Sequence, residues 1–568
     1  MKRMVSTAAR TVRRILPLPP TSSTRPSQRL VLALLAVCAV AFWIRLAHIS
    51  GTLPYPRHID EVRITVRAHR MVTTGEYHPV DFIYPSLPRY LAAAAMAAGA
   101  AWTPADEQPA GADPVGLWTY PHYERPAVIG AARRLFALLS IVALGATGIA
   151  AWRLLDRPGA LLLAPLVLAT SPLFFVHSWE YLNVDVVATC FAALGIAACL
   201  HGTRRPSILT VAILPAICAG LAAGSKYPSG LVLAPVLVAS VLFLAPAQRL
   251  LGVVVAAATA GAAFVAVVPH SMLDFPTFLN DLTEEAGRYA SGEDVRYTDN
   301  RGLAQLAFYG HHFQAQFGWT GMLAAGIGLA AAAAADWRRT LVFVSFPAAL
   351  LALLTPQRAQ FARNVLPLHP FLAVLIAGGL AVAQDRLVQA LERRASTPPR
   401  LRLVLPAAAW LAICAVGLAT PLARLPDQAH ITVDSRWDAL DWLDGRLPTY
   451  WTLVVPAELN IDLRELQRRG YPLHVVDYRT LGNLAAVDAV ANQAPGPVAA
   501  FLPRWGYAEQ PEGTAAAARR ATELNRTVSP FVPLAWFGQN PVLVNYPFPV
   551  PWGDPQFSIA ARSTTPRE

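Results

Sequence analysis

The chain has 568 residues, of which 54% are hydrophobic and 15% charged, with a formal net charge of +11. A mean hydropathy of +0.38 excludes an ordinary soluble enzyme and points to a polytopic membrane protein. The positive charge sits in short clusters between apolar runs, where membrane orientation explains it, and no zinc-finger, helix-turn-helix or RNA-binding signature supports a nucleic-acid partner.

Residues 1–29 form a basic leader (Lys2, Arg3, Arg10, Arg13, Arg14, Arg25, Arg29) expected to be a cytoplasmic tail. The apolar run near 30–47 is read as the first span. A basic leader before an apolar core is also the plan of a secretory signal, with a cleavage site conceivable near Ala39-Val40-Ala41, but the length of the run and the apolar runs after it favour a span. Crossing the hydrocarbon takes about 20 helical residues. Further runs of that kind lie near 130–151, 158–176, 184–200, 207–224, 229–246, 250–268, 319–335, 340–355, 364–383 and 403–422. Basic clusters at Arg153/Arg157, Arg204/Arg205, Arg249, Arg338/Arg339 and 386–402 then fall on one side, giving a multi-pass inner (cytoplasmic) membrane protein with its N-terminus inside and its C-terminus outside.

The expected fold is an α-helical polytopic membrane domain over 30–422, with outer loops 48–129 and 269–318, followed by an extracytoplasmic α/β domain over 423–568. In that last segment β-like runs (WTLVVPAEL, PLHVVDY, PVAAFLPR, VPLAWFG, NPVLVNY) alternate with helix-like ones. No G-x-G-x-x-G follows any of those strands, so dinucleotide binding is not supported. Asn525-Arg526-Thr527 matches a glycosylation sequon, a pattern common by chance. The five cysteines lie in apolar runs without paired spacing and imply neither disulfides nor a thiolate metal site.

The first outer loop reads HIDEVRITVRAHRMVTTGEYHPVDFIYPSLPRY over residues 58–90. Val62, Val66 and His69 recur at helical spacing and predict an amphipathic helix along the membrane surface, with Asp60 as its N-cap, Glu61 complementing the dipole and Gly75 at its end. Pro79, Pro85 and Pro88 then force an extended turn before a second helix, RYLAAAAMAAGAAW. An acid at the start of a span costs free energy unless it faces protein or water, so Asp185 is a functional candidate by position. Lys226, Arg358 and Arg363 stand at outer span ends, where they either bind a phosphate or snorkel to lipid headgroups. His311-His312 are neighbours on a helix, about 100° apart, with no third ligand nearby. No metal site and no cofactor is expected; dependence on a divalent metal is left open.

Arg45, Asp60-Glu61, Gly75, Pro79 and Tyr84-Pro85-Ser86-Leu87, in that order, resemble the start of the GT-C glycosyltransferases that use lipid-linked sugars, such as the protein O-mannosyltransferases and aminoarabinose transferases. FVHSWEYLNVDVVATCF, with Glu180 and Asp185, resembles the second acidic site of that superfamily. GLAAGSKYPSGL, ARNVLPLHPFLAV and TVDSRWDALDWLDGRLPTYWTLV resemble later segments, so the likeness covers most of the chain. It implies transfer of a sugar from a polyprenyl-phosphate donor to an acceptor hydroxyl on an extracytoplasmic glycan, lipid or protein. Asp60 would be the general base of an inverting displacement, with Glu61 and Asp185 on the acceptor side. Tyr84, Arg89, Glu180, Lys226, Arg358 and Arg363 would bind substrate. Three other readings stay open: a glycosidase using Asp60 with Asp185, a transporter or flippase of lipid-linked sugars, and a carbohydrate-binding receptor.

Overall fold

The computed structural model describes residues 26–49, 51, 53, 55, 56, 58–102, 126–291, 301–393, 399–429, 434–459 and 461–476, with shorter stretches between 489 and 562. The leader up to Arg25, residues 103–125 and 292–300 of the two segments expected as outer loops, and Arg526 and Thr527 of the sequon lie outside the described residues.

The first helices in chain order are α1 (Gln28–His48), α2 (Ile59–Thr74), α3 (Leu87–Trp102), α4 (Pro126–Leu155), α5 (Ala160–Ala169), α6 (Pro172–His177) and α7 (Val184–Gly202). A π-type turn (Ile208–Ile213) leads into α8 (Leu214–Ser225), and a 3-10 turn (Tyr227–Val232) into α9 (Leu233–Phe243). Then come α10 (Arg249–Val267), α11 (His270–Leu273), α12 (Phe275–Ser291), α13 (Leu303–Ala335), α14 (Trp337–Leu354), a 3-10 turn (Ala362–Leu368), α15 (His369–Glu392) and α16 (Pro399–Ala429). Among the described residues, 8 helices are long and apolar enough to cross a membrane. Three shorter apolar helices, Ala160–Ala169, Tyr227–Phe243 and Ala408–Ala423, fall on the remaining expected spans.

Helix α13 is two helices joined at Gly318, whose φ of 70° is a left-handed conformation that only glycine adopts without strain. A Cβ there would also lie 2.4 Å from Thr420 Oγ1. The break separates the amphipathic run YGHHFQAQFGW from the apolar run expected to begin at 319. Beyond it, α13 crosses α15 so closely that a Cβ on Gly379 would sit 2.0 Å from the Ala324 carbonyl, and one on Gly328 1.9 Å from that of Leu375. Small residues at the crossing let the two backbones touch, the usual device for joining helices in lipid. This contact fixes α15 and the 3-10 turn that leads into it.

Asp60 is not the N-cap of α2. His58 takes that place, its Nδ1 accepting from the Asp60 backbone N–H at 3.1 Å, so Asp60 sits in the first turn with its carboxylate free for tertiary partners. The buried stripe of α2 is Ile64, Ala68 and Met71, packed on Ala92, Ala93 and Met96 of α3 and on Ala132 and Phe136 of α4, while His69 is exposed. The packed face is therefore offset from the Val62, Val66 and His69 series. Gly75 closes the helix in a left-handed conformation, φ 72°, as its sequence position predicts.

The C-terminal segment contains α17 (Ser435–Leu443), α18 (Leu463–Arg468) and the strands β1 (Thr452–Pro456), β2 (Leu473–Val476), β3 (Val498–Pro503), β4 (Trp505–Gly506), β5 (Phe531–Phe537), β6 (Val542–Leu543) and β7 (Phe557–Arg562). Five of them form one sheet in the order β2-β1-β3-β7-β5, parallel at β2-β1-β3 and antiparallel around β7. Its core of Leu453, Val455, Phe501, Phe557 and Ile559 closes against Leu440 and Leu443 of α17. The segment docks on the chain just after α1. Trp437 Nε1 donates to the Leu53 carbonyl at 2.9 Å, the Arg436 guanidinium lies 3.9 Å from the Tyr55 ring centroid, and the Asp462 N–H donates to the Tyr55 hydroxyl at 3.3 Å.

Candidate active site

Two acids start two helices at the same end of the bundle. Asp60 is the second residue of α2 and Asp185 the second of α7, where Asn183 caps by accepting from the Asp185 N–H at 2.7 Å. Both carboxylates therefore lie at the positive ends of helix dipoles, which favour their charge. Arg363, second residue of the 3-10 turn before α15, spans them: its Nη2 lies 3.2 Å from Asp60 Oδ2 and its Nε 4.0 Å from Asp185 Oδ2. Lys226, at the junction of α8 and the turn into α9, pairs with Asp185 Oδ1 and donates to Asn364 Oδ1 at 3.0 Å.

The other Asp60 oxygen accepts from the Tyr84 hydroxyl at 2.9 Å. Burial alone would raise the Asp60 pKa. The Arg363 guanidinium, then His58, the Tyr84 hydrogen bond and Arg63 outweigh it and hold the carboxyl down at about 2. Burial and the neighbouring Asp60 charge push the Tyr84 hydroxyl well above its ordinary value, so at neutral pH it stays a hydrogen-bond donor. His58 Nδ1 is 3.4 Å from Asp60 Oδ2, and its ring stacks on Tyr181 with centroids 4.7 Å apart.

Beside this cluster opens a cavity of about 420 Å³. Tyr84, Lys226 and Asn364 form its polar edge, and Leu231, Leu282, Leu353, Leu354 and Tyr289 supply apolar wall. Helix α12, between α11 and α13, covers it with Leu282, Glu285, Ala286 and Tyr289. A chamber of this shape suits a ligand with an anionic head and a hydrocarbon tail.

Asp60, Asp185, Tyr84, Lys226 and Arg363 are thus brought together. The other candidates are placed elsewhere. Glu61 is fully buried, and Arg133 of α4 grips it with two hydrogen bonds of 2.7 and 2.8 Å while the Leu182 N–H donates to it at 3.3 Å. Arg89 is buried too, donating to the Pro79 carbonyl at 3.1 Å and to the Asp81 carbonyl and carboxylate at 2.6 Å each, so it braces the extended turn and does not line the cavity. Arg358 turns to the Ser291 carbonyl at 2.8 Å. Glu180 is half-buried in the turn between α6 and α7.

Sequence reasoning passed over His58, Asn183, Asn364 and the buried Ser171–His369 pair, whose Oγ–Nδ1 distance is 2.8 Å. A polar residue next to each chosen charge, as in His58-Ile59-Asp60, Asn183-Val184-Asp185 and Arg363-Asn364, was the available signal. Groups of three or more metal-ligating side chains are absent among the described residues.

No family model and no curated protein sequence matches the chain. Solved structures do. ArnT from Cupriavidus metallidurans bound to undecaprenyl phosphate is 17% identical with a TM-score of 0.48, the match covering 94% of this chain and 99% of that one. Its apo state matches at 14% identity and a TM-score of 0.45, over 93% of this chain and 97% of that one. The arabinofuranosyltransferase AftD from Mycobacteria is similar at 14% identity and a TM-score of 0.41, over 96% of this chain and 40% of that larger one.

Proposed function

We propose that the protein is a membrane glycosyltransferase of the GT-C type, which moves a sugar from a polyprenyl-phosphate donor to an acceptor hydroxyl on the extracytoplasmic side. The observation that carries this reading is the Asp60–Arg363–Asp185–Lys226 cluster at the mouth of an apolar cavity. The cavity takes the first isoprene units of the donor. Lys226 and Arg363 take its phosphate, where two cations stabilise the charge that develops on the departing oxygen.

An acceptor hydroxyl is a weak nucleophile at neutral pH, and in this reading Asp60 takes its proton. As that proton leaves, the acceptor oxygen bonds to the anomeric carbon. The bond from that carbon to the phosphate oxygen breaks, and the polyprenyl phosphate departs with the electron pair. Attack opposite the leaving group inverts the anomeric centre in one step. A glycosidase needs one carboxyl protonated as an acid. Both acids here are paired with cations, which favours transfer over hydrolysis.

Arg363 is bound to Asp60, a pairing that makes Asp60 a poor base. Donor phosphate competes for that guanidinium, so binding of the donor releases the base. Glu61 supports the site from below, by fixing the first turn of α2 to α4.

The test uses protein in nanodiscs with a radiolabelled polyprenyl-phosphate sugar and envelope acceptors. Asp60→Asn is expected to bind donor and lose transfer by a factor of about 10² or more. Unchanged transfer would remove Asp60 from the mechanism, and vesicle uptake of the lipid-linked sugar without any transfer would favour a flippase.

A further inference from the structure

The opposite end of the bundle gathers arginines from three separate connections. Helix α7 has Asp185 at its start and Arg204 just past its end. Its 19 residues put the two about 28 Å apart at 1.5 Å per residue. There Asp156, following α4, is held in a left-handed conformation with φ 54°. One of its oxygens pairs with Arg204, and the other lies 3.5 Å from Arg339 Nη1. Arg204 also donates to the Arg153 carbonyl at 3.2 Å, and Arg339 reaches Asp336 at 3.5 Å.

Arg205 and Arg338 stand exposed beside these pairs, and Arg153 and Arg205 both bring their charge to bear on His201. Neither Arg153, Arg205 nor Arg338 has a carboxylate within 4.0 Å among the described residues. Five guanidinium groups therefore stand against two carboxylates, Asp156 and Asp336, which among the described residues pair only with Arg204 and Arg339. Burial, then repulsion from Arg339 and Arg153, pushes the Arg204 pKa down to about 10 against the pull of Asp336. The Nε donors of Arg153 and Arg204 are buried without a hydrogen-bond partner.

Two tryptophans fix the depth of the cluster. The Arg153 guanidinium lies 3.7 Å from the ring centroid of Trp152, and that of Arg338 lies 5.7 Å from the ring centroid of the half-exposed Trp337. Indoles at helix ends mark the level of lipid headgroups. Orientation of a membrane protein needs basic residues on one side only. It does not require that guanidiniums from two connections converge on an aspartate of a third, held in a left-handed conformation.

We propose that Arg153, Arg204, Arg205, Arg338 and Arg339 form a binding site for the phosphate of an anionic phospholipid in the adjoining leaflet. The excess positive charge attracts the headgroup, the two exposed arginines, Arg205 and Arg338, bind its oxygens, and the tryptophans seat its glycerol region. The site is independent of the transferase reading and lies at the other face of the membrane.

Lipid retention on the purified protein, read by native mass spectrometry, tests this with phosphatidylglycerol, phosphatidylcholine and inorganic phosphate as probes. Phosphatidylglycerol is expected to be retained at least threefold better by the wild type than by R205Q/R338Q, a variant of two exposed residues, and to raise the Tm of the wild type alone. R249Q removes a positive charge at the same end outside the cluster and is expected to retain lipid like the wild type. Equal retention by R205Q/R338Q and wild type, an equal loss in R249Q, or an equal Tm shift from inorganic phosphate would each overturn the assignment to lipid.

Discussion

Arg363 binds Asp60 at 3.2 Å although they stand 303 positions apart in sequence, and it is the main counter-charge that holds the Asp60 carboxyl at about 2. A carboxyl lowered in the folded protein contributes stability above its unfolded pKa of about 3.9, lost as pH falls toward the folded value. Between pH 5 and 8 that contribution is constant, and Asp60 of the wild type is ionised throughout. In Arg363→Gln the burial of Asp60 is opposed only by His58, Tyr84 and Arg63, so its pKa rises. Because kcat/KM reports the free enzyme, in which Arg363 holds Asp60, kcat/KM for transfer by that variant is expected to fall as pH drops from 7 to 5, on an acid limb that the wild type lacks. A pH-rate profile of each protein checks it, and parallel profiles would refute the coupling.

Lys226 joins Asp185 to Asn364 at the polar edge of the cavity. A charge-assisted hydrogen bond to phosphate contributes about 1.5–3 kcal/mol, so Lys226→Met is expected to weaken donor binding by roughly 10- to 100-fold. Titration of the purified variant with polyprenyl phosphate measures it. Unchanged affinity would return Lys226 to a purely structural pairing with Asp185.

Glu61 and Arg133 make a fully buried ion pair. Removing one partner strands the other, a loss of about 3–5 kcal/mol. Arg133→Met is therefore expected to lower the Tm of the detergent-solubilised protein by several degrees, and Glu61→Gln in the same chain to recover part of it. A double variant less stable than the sum of the singles would contradict the pairing.

Gly318 combines a left-handed φ with the Thr420 side chain 2.4 Å from where a Cβ would stand. Gly318→Ala is expected to destabilise by about 2 kcal/mol or more from strain and clash together. Thr420→Gly removes the clash and leaves the strain, so the double variant should recover only part of the Tm. Full recovery would show that backbone conformation contributes nothing there.

The membrane helices were legible because apolar length is a local property. Among the described residues, the expected spans fall on 8 long apolar helices and three shorter ones, and the span expected from 319 starts beside the Gly318 break. Asp185, Lys226 and Arg363 were legible as charges at span ends, and Asp60 as an acid at the start of the amphipathic helix that follows the first span. The partner of each charge was not. Arg89 and Arg363 look alike in sequence, yet one is taken up by Asp81 within its own turn and the other by acids at the starts of two distant helices. Glu61 was uncertain for the same reason, since Arg133 lies 72 residues away inside an apolar run. Asp is the stronger N-cap on statistics, but His58 displaced it through one ring nitrogen. Strand β7 escaped notice because FSIAAR is short and rich in small residues, and only its place between β3 and β5 makes it a strand.

Tyr55 is clasped by Arg436 and by the backbone of Asp462, and only two residues separate it from the His58 cap of α2. Three residue steps reach no more than about 11 Å, so this tether carries little slack. The C-terminal domain thereby acts as an anchor for the carboxylate itself, and a ligand that tilted the domain would pull on Asp60 mechanically. Exchanging that domain between related chains would change the position of Asp60 as well as the surface the domain presents.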